Sequence, residues 1–391
     1  MKWGLLALGL PALAQAGWTF EAAQDVAAGK GVFHHLEASG RQALAVSGGR
    51  VAIVWEDDRS GNPRCYLAIK TPDRAQFQEL AFGRGECYAP GIAPLPDGRF
   101  GVIWEDGSGV GAALVQGDAL GQTTYLMDKG GQGAMAWHPA LGLVAAWSAP
   151  EGRMRRVWVA RLTSDGADPR IASKRPLEAE LPKDDQMYPA LAATPSGISM
   201  AWEDRRLGHT VIFASQTTDG MNWSPVTRVS QNPTGMAEGT VLGRGTGAMR
   251  PALAHWDGGA AVVWLDKRDF LSGYDVYAAL PGDTRNTKAQ DSFGDAIAQW
   301  HPAVASQDGK HLVVAWDDDR DGTSDIWLSH LLPTGGFSEN VAPAPASGPK
   351  VQTDPVLTLT AAGELHLAWV ERDGQGHSSI RYSLGKPEPG H

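Results

Sequence analysis

Residues able to bind carboxylates or exchange protons occupy one recurring place in this sequence, directly before the hydrophobic run that begins each repeated unit. Arginine can bind a carboxylate through two N–H groups, histidine and tyrosine can transfer protons, and aspartate can accept them. Aligned by hand, these places hold Arg41, Tyr88 with Ala89, His138, Tyr188, Arg250, His301 and Asp354. Their chemistry changes between units, which is typical of a ligand-binding site on a repeated frame. Ordinary loop polarity, with each histidine bonded to a backbone carbonyl, is the alternative interpretation.

Seven hydrophobic runs that end in tryptophan must position these residues. The tryptophans follow one another at intervals of 43 to 62 residues and are Trp55, Trp104, Trp147, Trp202, Trp264, Trp316 and Trp369. Short runs rich in Val and Ile lie beside them, and the chain contains 48 Gly and 25 Pro, which favour turns over helices. Such a repeat predicts an all-β fold, a seven-bladed β-propeller of four-stranded antiparallel blades.

The two ends of the repeat predict how the ring closes. The last unit ends at Leu384 without a fourth strand, whereas Trp18-Thr19-Phe20 precedes the first unit. We therefore predict that the N-terminal strand joins the last blade, because closing the ring leaves no exposed sheet edge. The predicted propeller spans residues 17–384, and residues 385–391 form a short polar tail.

An aspartate and an arginine follow the tryptophan in several units. Residues at alternate positions of a strand point to the same face. The sets that share this face are Trp55/Asp57/Arg59, Trp202/Asp204/Arg206, Trp264/Asp266/Arg268 and Trp316/Asp318/Arg320. One interpretation is functional: the arginines of these sets would bind a polyanion or the carboxylates of a glycan. Because the trio recurs in most units, we interpret it as structural: Trp packs between blades, Asp accepts backbone N–H groups, and Arg pairs with Asp or stacks on a ring.

The N-terminus and the net charge restrict the location and the partners. Residues 1–16 contain Lys2, an apolar stretch and the small-residue site Ala14-Gln15-Ala16, a pattern that predicts a signal peptide and a periplasmic or secreted protein. We expect no transmembrane segment in the mature chain. The formal net charge of −10 disfavours nucleic acid and anionic membrane surfaces as partners, since both require basic patches.

The chain contains two cysteines, Cys65 and Cys87, and two interpretations are open. A disulfide between the first two blades is compatible with an exported protein, and two free buried thiols are the alternative.

One acidic turn has the spacing of a calcium loop. Its oxygen ligands alternate along the chain, with Gly322 at the bend, and are Asp317, Asp319, Asp321 and Asp325. The sequence predicts calcium as the possible cofactor here, with a solvated acidic turn as the alternative. For a transition metal the histidines lack a supporting ligand spacing.

One segment, Ala214 to Trp223, reads ASQTTDGMNW and resembles a shortened Asp box, with a weaker echo at Thr163 to Gly166. Through these motifs the chain resembles the sialidase-like (Asp-box, or BNR-repeat) propellers of secreted bacterial proteins, over residues 17 to 384. The resemblance implies the propeller fold, and in that superfamily the box is structural.

The resemblance also implies what an active sialidase would need: an arginine triad, a Tyr/Glu nucleophile pair and an Asp acid. The first triad arginine belongs to an Arg-Ile-Pro motif. Here Arg41 and Arg250 lie one position closer to the inner strand, and a shift of one residue turns a side chain to the other face. The sequence therefore disfavours sialic-acid hydrolysis.

These observations predict a monomeric, non-catalytic exported propeller that binds a glycan, a peptide or an envelope component at the mouth of its central channel. The alternative is a sialidase-like glycoside hydrolase or lyase at the same mouth, with Tyr188, Asp354 or the mouth histidines as acid–base groups. A purely structural role in a surface assembly is a third interpretation.

Overall fold

Seven antiparallel sheets make up the part of the protein that the structure describes. The computed structural model describes residues 17–36, 40, 42–231, 247–268, 273–292, 294 and 297–388. Within these ranges the remaining regular elements are short 3₁₀ turns, Pro96–Gly98 and Ala344–Ala346. The predicted seven-bladed β-propeller is confirmed. The predicted signal peptide, residues 1–16, lies outside the described residues.

Each blade is a meander whose first strand lies innermost and whose second strand contains the recurring tryptophan. Blade 1 consists of His34–His35, Leu44–Ser47, Arg50–Asp57, Arg64–Lys70 and Gln78–Phe82. Blade 2 consists of Cys87–Pro94, Phe100–Asp106, Gly109–Gln116, Ala119–Leu120 and Thr124–Met127. Blade 3 consists of Gly131–His138, Gly142–Glu151, Met154–Thr163 and Arg170–Pro176. Blades 4 and 5 consist of Gln186–Thr194, Gly197–Asp204, Val211–Thr217 and Thr227–Arg228; and Ala248–Trp256, Gly259–Asp266, Asp275–Ala279 and Thr287–Lys288. Blades 6 and 7 consist of Trp300–Gln307, His311–Asp318 and Asp325–His330; and Val351–Leu359, Leu365–Arg372 and His377–Pro387.

The two ends of the described chain meet in blade 7. Strands Trp18–Phe20 and Gln24–Lys30 both pair antiparallel with His377–Pro387. This pairing is consistent with the predicted closure of the ring. The last strand continues to Pro387 instead of ending at Leu384, because Trp18 pairs with Pro387. The first residues of the predicted tail are therefore part of the propeller.

The recurring tryptophans form the core between the blades, and all seven side chains are buried. In five blades the indole N–H donates to the carboxylate two residues later, at 2.8–3.0 Å; the pairs are Trp55–Asp57, Trp104–Asp106, Trp202–Asp204, Trp264–Asp266 and Trp316–Asp318. The arginines lie 4.1–4.8 Å from rings of the third strand, in the pairs Arg59–Tyr66, Arg206–Phe213, Arg268–Tyr277 and Arg320–Trp327. These contacts agree with the structural interpretation of the trio.

Two local features stabilise the propeller, one between two blades and one within a single blade. Cys65 and Cys87 form a disulfide between blades 1 and 2. In blade 4 the Asp219 carboxylate accepts the backbone N–H groups of Met221 and Asn222 at 2.8 and 2.7 Å. These hydrogen bonds hold the pKa of Asp219 well below its usual range. The turn that resembles an Asp box is therefore closed by its own hydrogen bonds.

Across the described ranges, no helix is long and apolar enough to cross a membrane.

Candidate functional site

One residue near the start of each innermost strand has a left-handed backbone. Their φ angles lie between 49° and 83°, and the residues are Gly40, Ala89, Gln132, Tyr188, Arg250, His301 and Asp354. In blades 2 to 7 the strand pairing shifts register at this point, as in a β-bulge. A left-handed backbone costs a non-glycine residue about 1 kcal/mol, and such strain is concentrated at functional sites. We call these seven positions the bulge positions.

The bulge positions contain most of the predicted site residues. Tyr188, Arg250, His301 and Asp354 occupy them in blades 4 to 7, and Tyr88 directly precedes Ala89 in blade 2. The Tyr88 hydroxyl donates to Glu86, which raises the pKa of Tyr88. Arg41 lies outside the described residues.

The structure corrects the placement of His138. The innermost strand of blade 3 begins at Gly131, so Gln132 occupies its bulge position. His138 lies at the opposite end of that strand, where it pairs with Gly142. Its Nδ1 accepts the backbone N–H of Ala140 at 3.2 Å. The string Trp-His-Pro-Ala recurs around His138 and around His301, but it belongs to a turn in blade 3 and to a bulge in blade 6.

Four carboxylates support the bulges from the neighbouring blade. Each belongs to the residue after a recurring tryptophan and accepts the backbone N–H of the next bulge residue. The pairs, at 2.6–3.1 Å, are Glu56–Ala89, Glu105–Gln132, Glu203–Arg250 and Asp317–Asp354. The sequence interpretation missed this role: it did not single out the three glutamates, and it assigned Asp317 to a calcium loop. Their signal is the recurrence of Trp-Glu-Asp and Trp-Asp-Asp, in which the middle residue points away from the tryptophan's face.

Blades 3, 4 and 5 are linked through their bulge side chains. The Gln132 side-chain oxygen accepts the Tyr188 backbone N–H at 3.0 Å. The Arg250 guanidinium carbon lies 3.5 Å from the centre of the Tyr188 ring. The structure thus brings two predicted site residues into a close cation–π contact. Stacking of this kind holds the guanidinium plane parallel to a rigid surface.

Blades 6 and 7 hold a histidine between two carboxylates. His301 Nδ1 lies 2.7 Å from Asp317 Oδ1, and His301 Nε2 lies 3.4 Å from Asp354 Oδ1. The imidazole is 35% exposed, whereas both carboxylates are buried. Burial raises the pKa of Asp317, although the nearby His301 lowers it. The arrangement fixes the orientation of an imidazole that solvent can reach, which is what proton transfer requires.

The four aspartates of the predicted calcium loop have different surroundings. Asp317 contacts His301, the Asp325 carboxylate accepts the N–H of Gly348, and Asp319 and Asp321 are exposed. Among the residues that the structure describes, no three His, Cys, Asp or Glu side chains are grouped so as to hold a metal ion. Calcium binding at this turn stays a prediction.

Below the bulges, the channel is narrow. A cavity of about 220 Å³ lies toward the opposite ends of the innermost strands, and its lining includes the apolar residues Ile92 and Met135 and the polar residues His255 and Ser306. Gly40 of blade 1 packs against blade 5 so closely that a Cβ would collide with a backbone carbonyl there. The bulge positions therefore form the rim of one mouth, and this cavity belongs to the other end of the channel.

Comparison with known proteins shows the fold. No family model matches the sequence, and no curated protein matches it. The polysaccharide lyase Uly1 matches with a TM-score of 0.60 and 10% identity, over 90% of this chain and 91% of that one. Trypanosoma rangeli sialidase matches with a TM-score of 0.45 and 10% identity, over 88% of this chain and 54% of that one. The phage phi92 endosialidase matches with a TM-score of 0.49 and 7% identity, over 96% of this chain and 70% of that one. At these identities the similarity extends to the fold alone.

Proposed function

We propose that the channel mouth binds a glycan that carries carboxylates. The observation that supports this proposal most directly is the stack of Arg250 on Tyr188 at adjacent bulge positions. The stack holds the guanidinium in one orientation, and its N–H groups match the two oxygens of a carboxylate. The polar face of a sugar can bond to the exposed imidazole of His301 on the neighbouring blade.

The charge of the protein restricts the kind of glycan. The formal net charge is −10, and four carboxylates support the bulges around the mouth. A densely charged polymer would be repelled by this field. A glycan whose carboxylates are separated by neutral sugars brings one charge at a time to Arg250. We therefore propose spaced carboxylates as the preferred ligand.

A panel of immobilised glycans tests this proposal. We expect saturable binding to hyaluronan, in which each carboxylated sugar alternates with a neutral one, weaker binding to alginate and polygalacturonate, which carry a carboxylate on every sugar, and none to neutral dextran. Arg250→Ala is expected to weaken binding at least tenfold, because the carboxylate loses its bidentate partner. Arg74→Ala, which removes an exposed surface arginine paired with Asp118, is the matched control. Binding to acidic or basic peptides with none to the carboxylated glycans would overturn the proposal.

The contact between His301 and buried Asp317 favours a second candidate function, cleavage by β-elimination. Asp317 would orient the imidazole, and neutral His301 would remove the proton α to the sugar carboxylate while Arg250 neutralises that carboxylate. The C4–oxygen bond then breaks, a C4–C5 double bond forms, and Tyr188 gives a proton to the leaving oxygen. The fold similarity to a polysaccharide lyase is compatible with this chemistry.

Elimination has a direct spectroscopic test. A growing ultraviolet absorbance, from the double bond conjugated with the carboxylate, would identify the lyase. His301→Asn should then abolish turnover while changing the glycan affinity less than threefold, since the asparagine keeps a hydrogen bond to Asp317. New reducing ends without that absorbance would identify a hydrolase instead. Saturable binding with neither product would leave binding as the function.

A further inference from the structure

Two aromatic side chains are exposed at the rim. Of the large hydrophobic side chains that are exposed within the described ranges, the aromatic ones are Phe33 and Trp300, which are 57% and 43% exposed. Trp300 directly precedes His301. Phe33 precedes the strand His34–His35, which pairs at the mouth end of blade 1 with Asp57 and Glu56. Both rings therefore lie on the face that carries the bulge positions.

Both aromatic residues are held in place although their rings are exposed. The backbone N–H of Phe33 donates to Asp58 at 2.7 Å, and its ring stacks on His35 with centroids 6.3 Å apart. The Trp300 ring lies 5.4 Å from Tyr274. Burying apolar surface is worth about 25 cal/mol per Å², so an ordered, exposed ring forgoes stability that folding could have gained. Exposed apolar surface rimmed by polar groups is a feature of ligand-binding grooves, and here charged or polar side chains lie beside both rings.

A cation of blade 7 lies between these two blades. Arg372 donates to the Thr353 hydroxyl at 2.8 Å and to the His34 carbonyl at 3.0 Å. Its guanidinium carbon lies 5.2 Å from the centre of the Phe33 ring, and the side chain is 28% exposed. The rim thus presents Arg372 and Phe33 in contact where blades 7 and 1 meet, and Trp300 on blade 6, where its ring lies beside Tyr274 of blade 5.

We infer that Trp300, Arg372 and Phe33 form an extended binding surface for successive sugar units of an acidic oligosaccharide. The C–H faces of pyranose rings are apolar and stack on aromatic rings, while a carboxylate pairs with the guanidinium. The surface deepens the proposed function, on which it rests, because it implies an oligosaccharide and not a single sugar. It runs from the His301 side of the mouth toward blade 1.

Chain length is the variable that tests this surface. The probes are glucuronate and the disaccharide, tetrasaccharide and hexasaccharide fragments of hyaluronan, alginate and polygalacturonate, titrated calorimetrically into the full-length protein. We expect affinity to rise with length. Trp300→Ala and Phe33→Ala should each weaken hexasaccharide binding about tenfold and glucuronate binding less than twofold. Trp300→Phe and Phe33→Tyr should retain most of the affinity.

Two further variants test whether the losses are specific to the aromatic rings and to the positive charge of the surface. Ile171→Ala removes a side chain that is 38% exposed on the outer strand of blade 3 and should leave every affinity unchanged. Arg372→Ala should weaken the binding of carboxylated fragments more than the binding of the same fragments after reduction of their carboxyl groups. Circular dichroism at each titration temperature confirms that the variants are folded.

The outcomes distinguish this inference from the function on which it rests. Affinity that does not rise with length, or losses equal for glucuronate and hexasaccharide, would overturn the extended surface while leaving the Arg250 site intact. Absence of binding to all three fragment series by the wild-type protein would overturn both. A length-dependent loss in Trp300→Ala and Phe33→Ala, with no change in Ile171→Ala, supports the surface.

Discussion

Neighbouring residues on the second strand of a blade differ in what they contact, and blade 4 shows this most clearly. Trp202 and Asp204 are buried within the blade packing and bond to each other at 3.0 Å. Glu203, between them, points to the other face and accepts the backbone N–H of Arg250 in blade 5. One face thus builds the blade, and the other supports the bulge position of the next blade.

The two faces are under different constraints, which explains why one repeats and the other varies. A buried Trp–Asp–Arg trio must match a fixed volume and fixed hydrogen bonds in each blade, so few residues fit. A bulge position restricts only the backbone, which a carboxylate of the preceding blade holds in four blades. Gln, Tyr, Arg, His and Asp are all found there. Chemistry can therefore change at the mouth without rebuilding a blade.

The largest effect is expected from emptying the core of a blade. Trp202→Ala should lower the free energy of unfolding by about 3–5 kcal/mol, because it removes a fully buried ring and leaves a cavity. Trp300→Ala, at the exposed rim, should lower it by less than about 1 kcal/mol. Urea denaturation measures both. Equal losses of unfolding free energy in the two variants would contradict the distinction between residues that build the blades and residues exposed at the mouth.

The buried ion pairs should rank next. Asp318→Asn leaves the guanidinium of Arg320, which is 3% exposed, without its main charge partner and should cost about 3 kcal/mol. Arg74, by contrast, pairs with Asp118 at the surface, where the two side chains are 38% and 30% exposed, so Arg74→Ala should leave the free energy of unfolding almost unchanged. Thermal and urea denaturation of the two variants check the order. A larger loss in Arg74→Ala would show that burial does not govern the stability that these ion pairs contribute.

Acid should weaken the frame through buried histidines. Burial lowers the pKa of His366 to about 4. The imidazole of His366 therefore stays neutral in the folded protein, whereas in the unfolded chain it takes up a proton near pH 6.5. The contribution of this residue to the free energy of unfolding is therefore full above pH 6.5 and falls by about 3 kcal/mol as the pH is lowered to 4. Urea titrations across this range should show a shallower decline in His366→Gln. An unchanged slope would mean that other groups dominate.

The smallest effect is expected at a bulge position. Ala89 has a φ of 49°, so Ala89→Gly relieves about 1 kcal/mol of backbone strain but gains a similar amount of freedom in the unfolded chain. The free energy of unfolding should change by less than about 0.5 kcal/mol. Ala190→Gly, in the buried innermost strand of blade 4, should cost about 1 kcal/mol. Similar losses in both would show that the strain at Ala89 is negligible.

Much of the fold could be predicted because it repeats. The interval between tryptophans indicated the blade size, and the alternation along the strand placed Asp204 and Arg206 on one face, where the predicted Asp–Arg pair forms. The hydrogen bond from the Trp202 indole to Asp204 was not predicted. Blade 3 shows where this reasoning ends. Trp137-His138-Pro139 resembles the start of an innermost strand, but Pro139 is only eight residues before Trp147, too few for the strand and turn found in other blades. That short distance was the signal that the alignment had slipped.

The all-β ring and the residues that build each blade follow from the sequence pattern, because every blade buries a tryptophan and five blades bond it to a carboxylate two residues later. Which residues meet at the mouth depends on how the blades pack. Tyr188 and Arg250 are 62 residues apart along the chain yet stack at 3.5 Å, and Arg372 reaches His34 and Phe33 at the other end of the chain. Such contacts depend on how adjacent blades turn their strand ends toward one axis. Local sequence does not encode that relation.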